Sequence, residues 1–181
     1  DANGCQQSSN LTITQPAAPL TIDTITKNDA LCYSGTGNAT VNASGGTVSY
    51  TYYWSNGSNS ASVFLYAGTY HVTVTDNNAC TTSDSVQINQ PAQPITINYS
   101  ITQPSCFGYS GGAIDISTSG GTSPYSFFWT NNATSEDIDS ITSGYYQLNI
   151  SDSYNCSATS ANILVPQPAQ INSSTTNTPV S

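Results

Sequence analysis

Cysteines at positions 5, 32, 80, 106 and 156 are the residues of this chain best suited to chemistry. Three of them close nearly the same phrase: DANGC (1–5), DNNAC (76–80) and DSYNC (152–156). In such a phrase the thiol can enter a disulfide. The aspartate can fold a tight turn by accepting nearby backbone amides, or it can offer a carboxylate to calcium. Turn formation is the leading reading of Asp1, Asp76 and Asp152. Calcium is the second reading of Asp76 and Asp152, although no EF-hand-like ligand run surrounds them. The supply for catalysis is thin. The single histidine, His71, sits where the matching phrase has Gln147. One histidine supports neither a His/Cys zinc site nor a nucleophilic triad. Glu136, Asp137 and Asp139 look like an acid/base set, but they occur in one place only and read better as charges protecting an exposed edge strand. We expect no enzyme, no catalytic residue and no cofactor beyond the calcium candidates.

The elements that carry these residues repeat as well. Gly45-Gly46 returns as Gly120-Gly121, YTYYW (50–54) as YSFFW (125–129), and AGTYHVTVTD (67–76) as SGYYQLNISD (143–152). TQPAAPLTI (14–22) returns as NQPAQPITI (89–97), and QPAQI (167–171) begins it again. Self-similarity at one period marks a repeat architecture. Two complete repeats span 17–91 and 92–168. Residues 1–16 read as the last strand of a preceding repeat, and 169–181 as the start of a following repeat or a linker. The chain therefore reads as a window on a longer array. With no Met and no signal peptide it fits an internal piece of a processed protein.

Within each repeat, apolar and polar residues alternate with the period of a half-buried strand. Tyr70, Val72 and Val74 alternate with His71, Thr73 and Thr75; Tyr146, Leu148 and Ile150 alternate with Gln147, Asn149 and Ser151. Glycine, proline and asparagine separate the runs. The pattern predicts an all-β fold: tandem immunoglobulin-like antiparallel sandwiches of about six to seven strands, with one disulfide each. Lettering six strands A to F and reversing direction at each puts the A–B, C–D and E–F connections at one end. Cys32 and Cys106 lie in A–B connections, Cys80 and Cys156 in E–F connections. We therefore expect Cys32–Cys80 and Cys106–Cys156 bonds, with Cys5 pairing to an upstream repeat. Closing a loop of about 50 residues contributes roughly 4 kcal/mol in the chain-entropy model. Disulfides also place the protein outside the cytoplasm.

Composition narrows the partners. Lys27 is the one basic residue against ten acidic ones, and the net charge is −9. Phosphate recognition needs Lys and Arg, so nucleic acid is excluded as a partner and anionic membranes are disfavoured. No apolar run is long enough for direct membrane insertion. Tyr50, Tyr52, Tyr70 and Tyr146 fall on inward positions. Tyr53, Phe128 and Tyr145 fall on the other face or the rim, where they could stack on sugar rings or pack against a neighbouring module or filament strand.

These phrases together resemble the SprB repeat of giant cell-surface adhesins, known from gliding Bacteroidetes. The resemblance runs through ALCYSGTGNATVNASGGTVSYTYYWSNGS, AGTYHVTVTDNNAC and VQINQP in one copy. It runs through PSCFGYSGGAIDISTSGGTSPYSFFWTNN, SGYYQLNISDSYNC and ILVPQP in the next. Ala79 and Asn155 stand where the family pattern has Gly, so their turns are expected to differ from the Asn3-Gly4 turn. The resemblance implies a secreted, extracellular protein at the cell surface, exported by the type IX route. It implies a filament of tandem modules that mediates attachment or gliding, with neighbouring repeats, other filament strands and surface polysaccharides as partners. It also gives meaning to DTI (23–25), DSV (84–86) and DSI (139–141), which look like O-glycosylation acceptors of that phylum at Thr24, Ser85 and Ser140. The alternative function is a carbohydrate-binding accessory module of a secreted enzyme.

Overall fold

A computed structural model describes residue 4 and residues 6–173. Asp1, and Cys5 with its expected upstream partner, fall outside these residues. Two compact units are present. One takes residues up to Asp29 together with Gly37–Ile88; the other takes Ala30–Thr36 together with residues from Asn89 onward. The short segment between the first two strands thus folds as part of the second unit.

The first unit holds β1 (Thr21–Asn28), β2 (Thr36–Ser44), β3 (Thr51–Trp54), β4 (Ser62–Tyr66), β5 (Gly68–Thr75) and β6 (Thr81–Ile88). They form two three-stranded sheets, β1-β2-β4 and β3-β5-β6. Alternation fills the space between them. Val41, Trp54, Val63, Leu65, Val72, Val74, Val86 and Ile88 are buried, while their chain neighbours face outward. Trp54 is fully enclosed, and its indole N–H donates to the Ser60 carbonyl at 2.9 Å, so the core accepts its one polar atom.

The second unit repeats the plan with β7 (Thr96–Thr102), β8 (Gly112–Ser119), β9 (Ser126–Trp129) and β10 (Ile138–Ile141). Its last two long strands are each broken in two: β11 (Gly144–Tyr146) and β12 (Leu148–Ser151), then β13 (Ser157–Thr159) and β14 (Ile163–Val165). The break centres on Ser160, whose hydroxyl accepts from Leu148 N at 2.9 Å while its own N–H donates to the Leu148 carbonyl at 2.8 Å. The sheets are β10-β8-β7, β13-β12-β9 and β11-β14. Trp129 is again fully buried, among Ile114, Ile116, Leu148, Ile150 and Ile163. The fold is all-β, a pair of immunoglobulin-like sandwich modules in which sheet A-B-D faces sheet C-E-F.

One topological expectation is wrong. Asp152, in the E–F turn, accepts from Thr122 N, which follows Gly120-Gly121 in the B–C connection. The E–F turn therefore lies at the B–C end, a full strand length from the A–B connection. The reason lies in strands C and D. β9 leaves the Gly120-Gly121 loop, and β10 finishes with Ile141 opposite Gly112 at the far end of β8. Both run the same way. The chain crosses from one sheet to the other in mid-height, where Trp129 N donates to the Ala133 carbonyl at 2.9 Å, so C and D make one traverse. Counting a reversal between them shifted every later connection to the wrong end.

The disulfide follows the corrected topology. Cys32 is bonded to Cys156, with 5.5 Å between their Cα atoms, and both lie in the second unit. The expected Cys32–Cys80 and Cys106–Cys156 bonds are absent; Cys80 and Cys106 are exposed free thiols. Cys106 and Cys156 of the same repeat sit at opposite ends of β8, which spans roughly 25 Å, far beyond the reach of a disulfide.

Candidate functional site

Three phrases that recur in the sequence meet at one end of each unit. In the first, Asp76 Oδ1 accepts from Asn78 N at 2.9 Å and from Cys80 N at 2.8 Å, folding the turn. Its Oδ2 reaches out of the turn and accepts from Thr47 N at 2.8 Å. Gly46 N donates to the Ala18 carbonyl at 2.9 Å, which ties in the strand that enters the unit. The second unit has the same constellation. Asp152 Oδ1 takes Tyr154 N and Cys156 N, both at 2.9 Å, Oδ2 takes Thr122 N at 2.9 Å, and Gly121 N donates to the Gln93 carbonyl at 3.2 Å.

The glycine pairs are required by closeness as well as by backbone shape. Gly45 and Gly120 have φ of 73° and 76°, and a Cβ on either would come within 1.9 Å of the Pro19 or Pro94 carbonyl oxygen. A Cβ on Gly46 would meet the Asp76 carboxylate. Gly4, Ala79 and Asn155 all adopt the left-handed conformation, with φ of 81°, 63° and 61°, so at this position the Gly and non-Gly copies share one backbone shape. Ala79 and Asn155 take the backbone geometry that glycine takes most cheaply.

Both aspartates are buried, yet both stay acidic. The Thr47 amide, with those of Cys80 and Asn78, holds the Asp76 carboxyl below its ordinary range against the opposing effect of burial. At Asp152 burial pushes upward most strongly, and the amides of Thr122, Cys156 and Tyr154 outweigh it. Three N–H groups already point at each carboxylate. That is the turn role, and amide hydrogens aimed at both oxygens oppose a cation there, so the calcium reading of Asp76 and Asp152 gains no support. Among the described residues no cluster of three or more His, Cys, Asp or Glu side chains is placed to hold a metal.

The remaining predicted positions are dispersed. Thr24, Ser85 and Ser140 are all exposed. Alternation explains Ser85, which lies beside buried Val86. It does not explain Ser140, which turns outward through a left-handed backbone (φ 53°) inside a register shift of β10. Thr24 follows a register shift of β1, and its hydroxyl accepts from Asn42 Nδ2 at 3.1 Å. Asp137 accepts from Ile116 N at 2.7 Å, satisfying a β8 amide before edge strand β10 begins. His71 is exposed and pairs with Ser85 across β5 and β6.

Tyr53, Phe128 and Tyr145 are exposed by 62%, 53% and 70%, on strands β3, β9 and β11 respectively. Phe128 faces Asn149, and Tyr145 faces Leu164, in their ladders. The sequence reading missed a better pair. Phe64 and Tyr66 alternate with buried Val63 and Leu65 on edge strand β4 and are exposed by 78% and 63%. The second repeat has IDSI at β10 instead. Strict alternation in SVFLY carried the signal.

The family model of the SprB repeat matches residues 24–59 and 98–134, and each stretch runs from strand A through the Gly-Gly loop past the core tryptophan. Two stretches of the chain are thus similar to the SprB repeat. SprB repeats are modules of cell-surface proteins, and among the described residues no helix is long and apolar enough to cross a membrane. No curated protein matches the chain. Among solved structures it is similar to the C-terminal 282-residue fragment of intimin, crystallised with the intimin-binding domain of its translocated receptor. That match has 16% identity and a TM-score of 0.42, over 81% of this chain and 64% of the other. It is also similar to the N-terminal eight Ig domains of the Down syndrome cell adhesion molecule, with 12% identity and a TM-score of 0.41, over 84% of this chain and 25% of the other. Murine CEACAM1b matches with 13% identity and a TM-score of 0.30, over 79% and 99%. The chain thus spans less than two thirds of the first two of these structures.

Proposed function

We propose that this chain is a structural and adhesive segment of a secreted bacterial cell-surface filament, built of tandem sandwiches, that mediates surface attachment or gliding. The observation that carries the reading is the Gly-Gly and Asp-x-x-x-Cys constellation, assembled twice with the same bonds. Its aspartate carboxylates and glycine amides are spent on joining a turn, a loop and the incoming strand. The residues shared between the two repeats serve architecture, and the segment acts without catalysis. Hydroxyl-rich outer faces suit O-linked sugars at Thr24, Ser85 and Ser140. Antibodies raised against the purified chain test the reading on intact cells of the source. Labelling of unpermeabilised cells along thin surface structures, with loss of attachment or movement, is the expected result. Signal appearing only after permeabilisation sinks it.

Phe64 and Tyr66 support the second reading, a carbohydrate-binding module. An aromatic pair without a counterpart in the other repeat is the form a sugar platform takes. Affinity electrophoresis through gels containing cell-surface polysaccharides separates the two. Retardation abolished by Phe64→Ala with Tyr66→Ala favours sugar binding; unchanged migration in every gel removes it.

A further inference from the structure

The second unit contains a finished docking site, and two halves of the same site lie elsewhere. In the finished one, Cys32 and Tyr33 line a cavity of about 300 Å³ with Pro94, Gly121, Asp152 and Cys156. Three links hold the entering loop. Ala30 N donates to the Asn89 carbonyl at 2.9 Å, Ser34 N donates to Gln90 Oε1 at 2.9 Å, and Cys32 is bonded to Cys156.

The first half is in the first unit. Gln15, Pro19, Gly46, Asp76 and Cys80 border a cavity of about 490 Å³, with the Cys80 thiol free. These are the repeat positions of Gln90, Pro94, Gly121, Asp152 and Cys156. Among the described residues no Cys-aromatic loop borders it. The other half is in the second unit. Cys106 and Phe107 stand at the positions of Cys32 and Tyr33 and make the same turn. Tyr109 N donates to the Cys106 carbonyl at 3.2 Å, as Gly35 N does to Cys32 at 3.0 Å, and Gly108 and Ser34 share a left-handed backbone. This loop borders a cavity of about 360 Å³ with Pro168, Ala169, Gln170 and Ile171. Those four are the positions of Pro91 to Pro94, so this half has a floor and a plug but no E–F cysteine.

We propose that the groove around Cys80 is a docking site for the Cys-aromatic loop of another repeat of this kind, that the Cys106 loop is the matching plug, and that each contact is sealed by a disulfide. The occupant is set by the finished copy: a cysteine followed by an aromatic ring, on a turn whose amide reaches the glutamine of the QPA phrase. In sealing, two thiols lose two protons and two electrons to form one S–S bond. A disulfide oxidant takes them up by exchange and leaves as two thiols. The proposal rests on the tandem-array reading only for the source of the partner loop; it makes no use of adhesion, and its test leaves that reading separately open to the cell-labelling experiment.

The test uses the 181-residue chain in a Cys5→Ser background, concentrated in a buffer of reduced and oxidised glutathione, with oxidised glutathione as the oxidant. The chain with both thiols should form a ladder of multimers, and peptide mapping should find Cys106 joined to Cys80 between copies, a heterologous head-to-tail contact. Cys80→Ser alone and Cys106→Ser alone should stay monomeric. Their mixture should stop at a dimer with one of each. Gln15→Ala should lower the yield of that dimer several-fold while leaving the reaction of Cys80 with a small aromatic disulfide unchanged, which separates docking from thiol reactivity. Like-with-like dimers in the same yield as mixed ones, thiols that remain reduced, or bonds mapped as Cys32–Cys80 and Cys106–Cys156 would each overturn the proposal.

Discussion

At the scale of single residues, the aspartate of the Asp-x-x-x-Cys turn decides how the molecule responds to acid. Both carboxyls titrate below the ordinary value of 3.8 in the folded units. The unfolded chain therefore binds their protons more readily, and the stabilisation they give is whole above about pH 4 and is lost as pH falls through the lower folded value. Melting temperature should be flat from neutral pH to that point and then drop; replacing both with Asn should lower it at neutral pH and flatten the acid limb. An acid limb unchanged in the double variant would remove these residues as its cause. The turn offers a second measurement. Ala79 holds a left-handed backbone that costs an alanine about 1 kcal/mol relative to glycine, after allowing for the greater freedom of glycine when unfolded. Ala79→Gly should raise the melting temperature of the first unit by roughly 4–8 °C in calorimetry. The sequence made the turn legible through its aspartate, but not its backbone, because nothing in Ala79 or Asn155 announces a left-handed residue.

At the scale of elements, the strands were legible and their directions were not. Val72 and Val74, or Leu148 and Ile150, declare a buried face by alternation alone, and the structure buries them. Strands C and D alternate as well, but alternation carries no information on direction. Each is short, and Asn56-Gly57 between β3 and β4 reads as a hairpin turn, yet the chain there passes from one sheet to the other. A reversal and a crossing look the same when only the turn residues are seen. The enclosed tryptophan holds this crossing, since the Trp54 indole bonds the Ser60 carbonyl inside it. Trp54→Phe leaves that carbonyl without its donor and should cost about 2 kcal/mol in denaturant titration; a neutral result would assign the crossing to packing alone. Two of the three sugar candidates, Thr24 and Ser140, lie where β1 and β10 slip register. Peptide mass spectrometry of material from the native source should find hexose-containing adducts at Thr24, Ser85 and Ser140. Bare peptides covering all three would end that expectation.

At the scale of the whole molecule, the cysteine pairing was the part of the site the sequence hid, because it depends on the parity of strand directions. The bond between Cys32 and Cys156 spans 124 positions of the chain. Non-reducing peptide mapping should recover it, and reduction should lower the melting temperature of the second unit; in the chain-entropy model so long a closed loop contributes about 5 kcal/mol. The same bond has a mechanical consequence. On the proposed filament reading the chain is loaded in tension, and tension travels along covalent bonds. Pulled from its two ends, this chain passes force from Cys32 directly to Cys156, and everything between them lies off the loaded path. β2 through β12, with both tryptophan cores, cannot be drawn out while the bond stands. In an optical trap the oxidised chain should yield only its outer segments. Adding a reductant should release a further contour length of roughly 410–450 Å, the extended reach of the bypassed stretch. The disulfide is then a safety line across the fold, and on the proposed filament reading its redox state sets whether the chain behaves as a short tether or a long one.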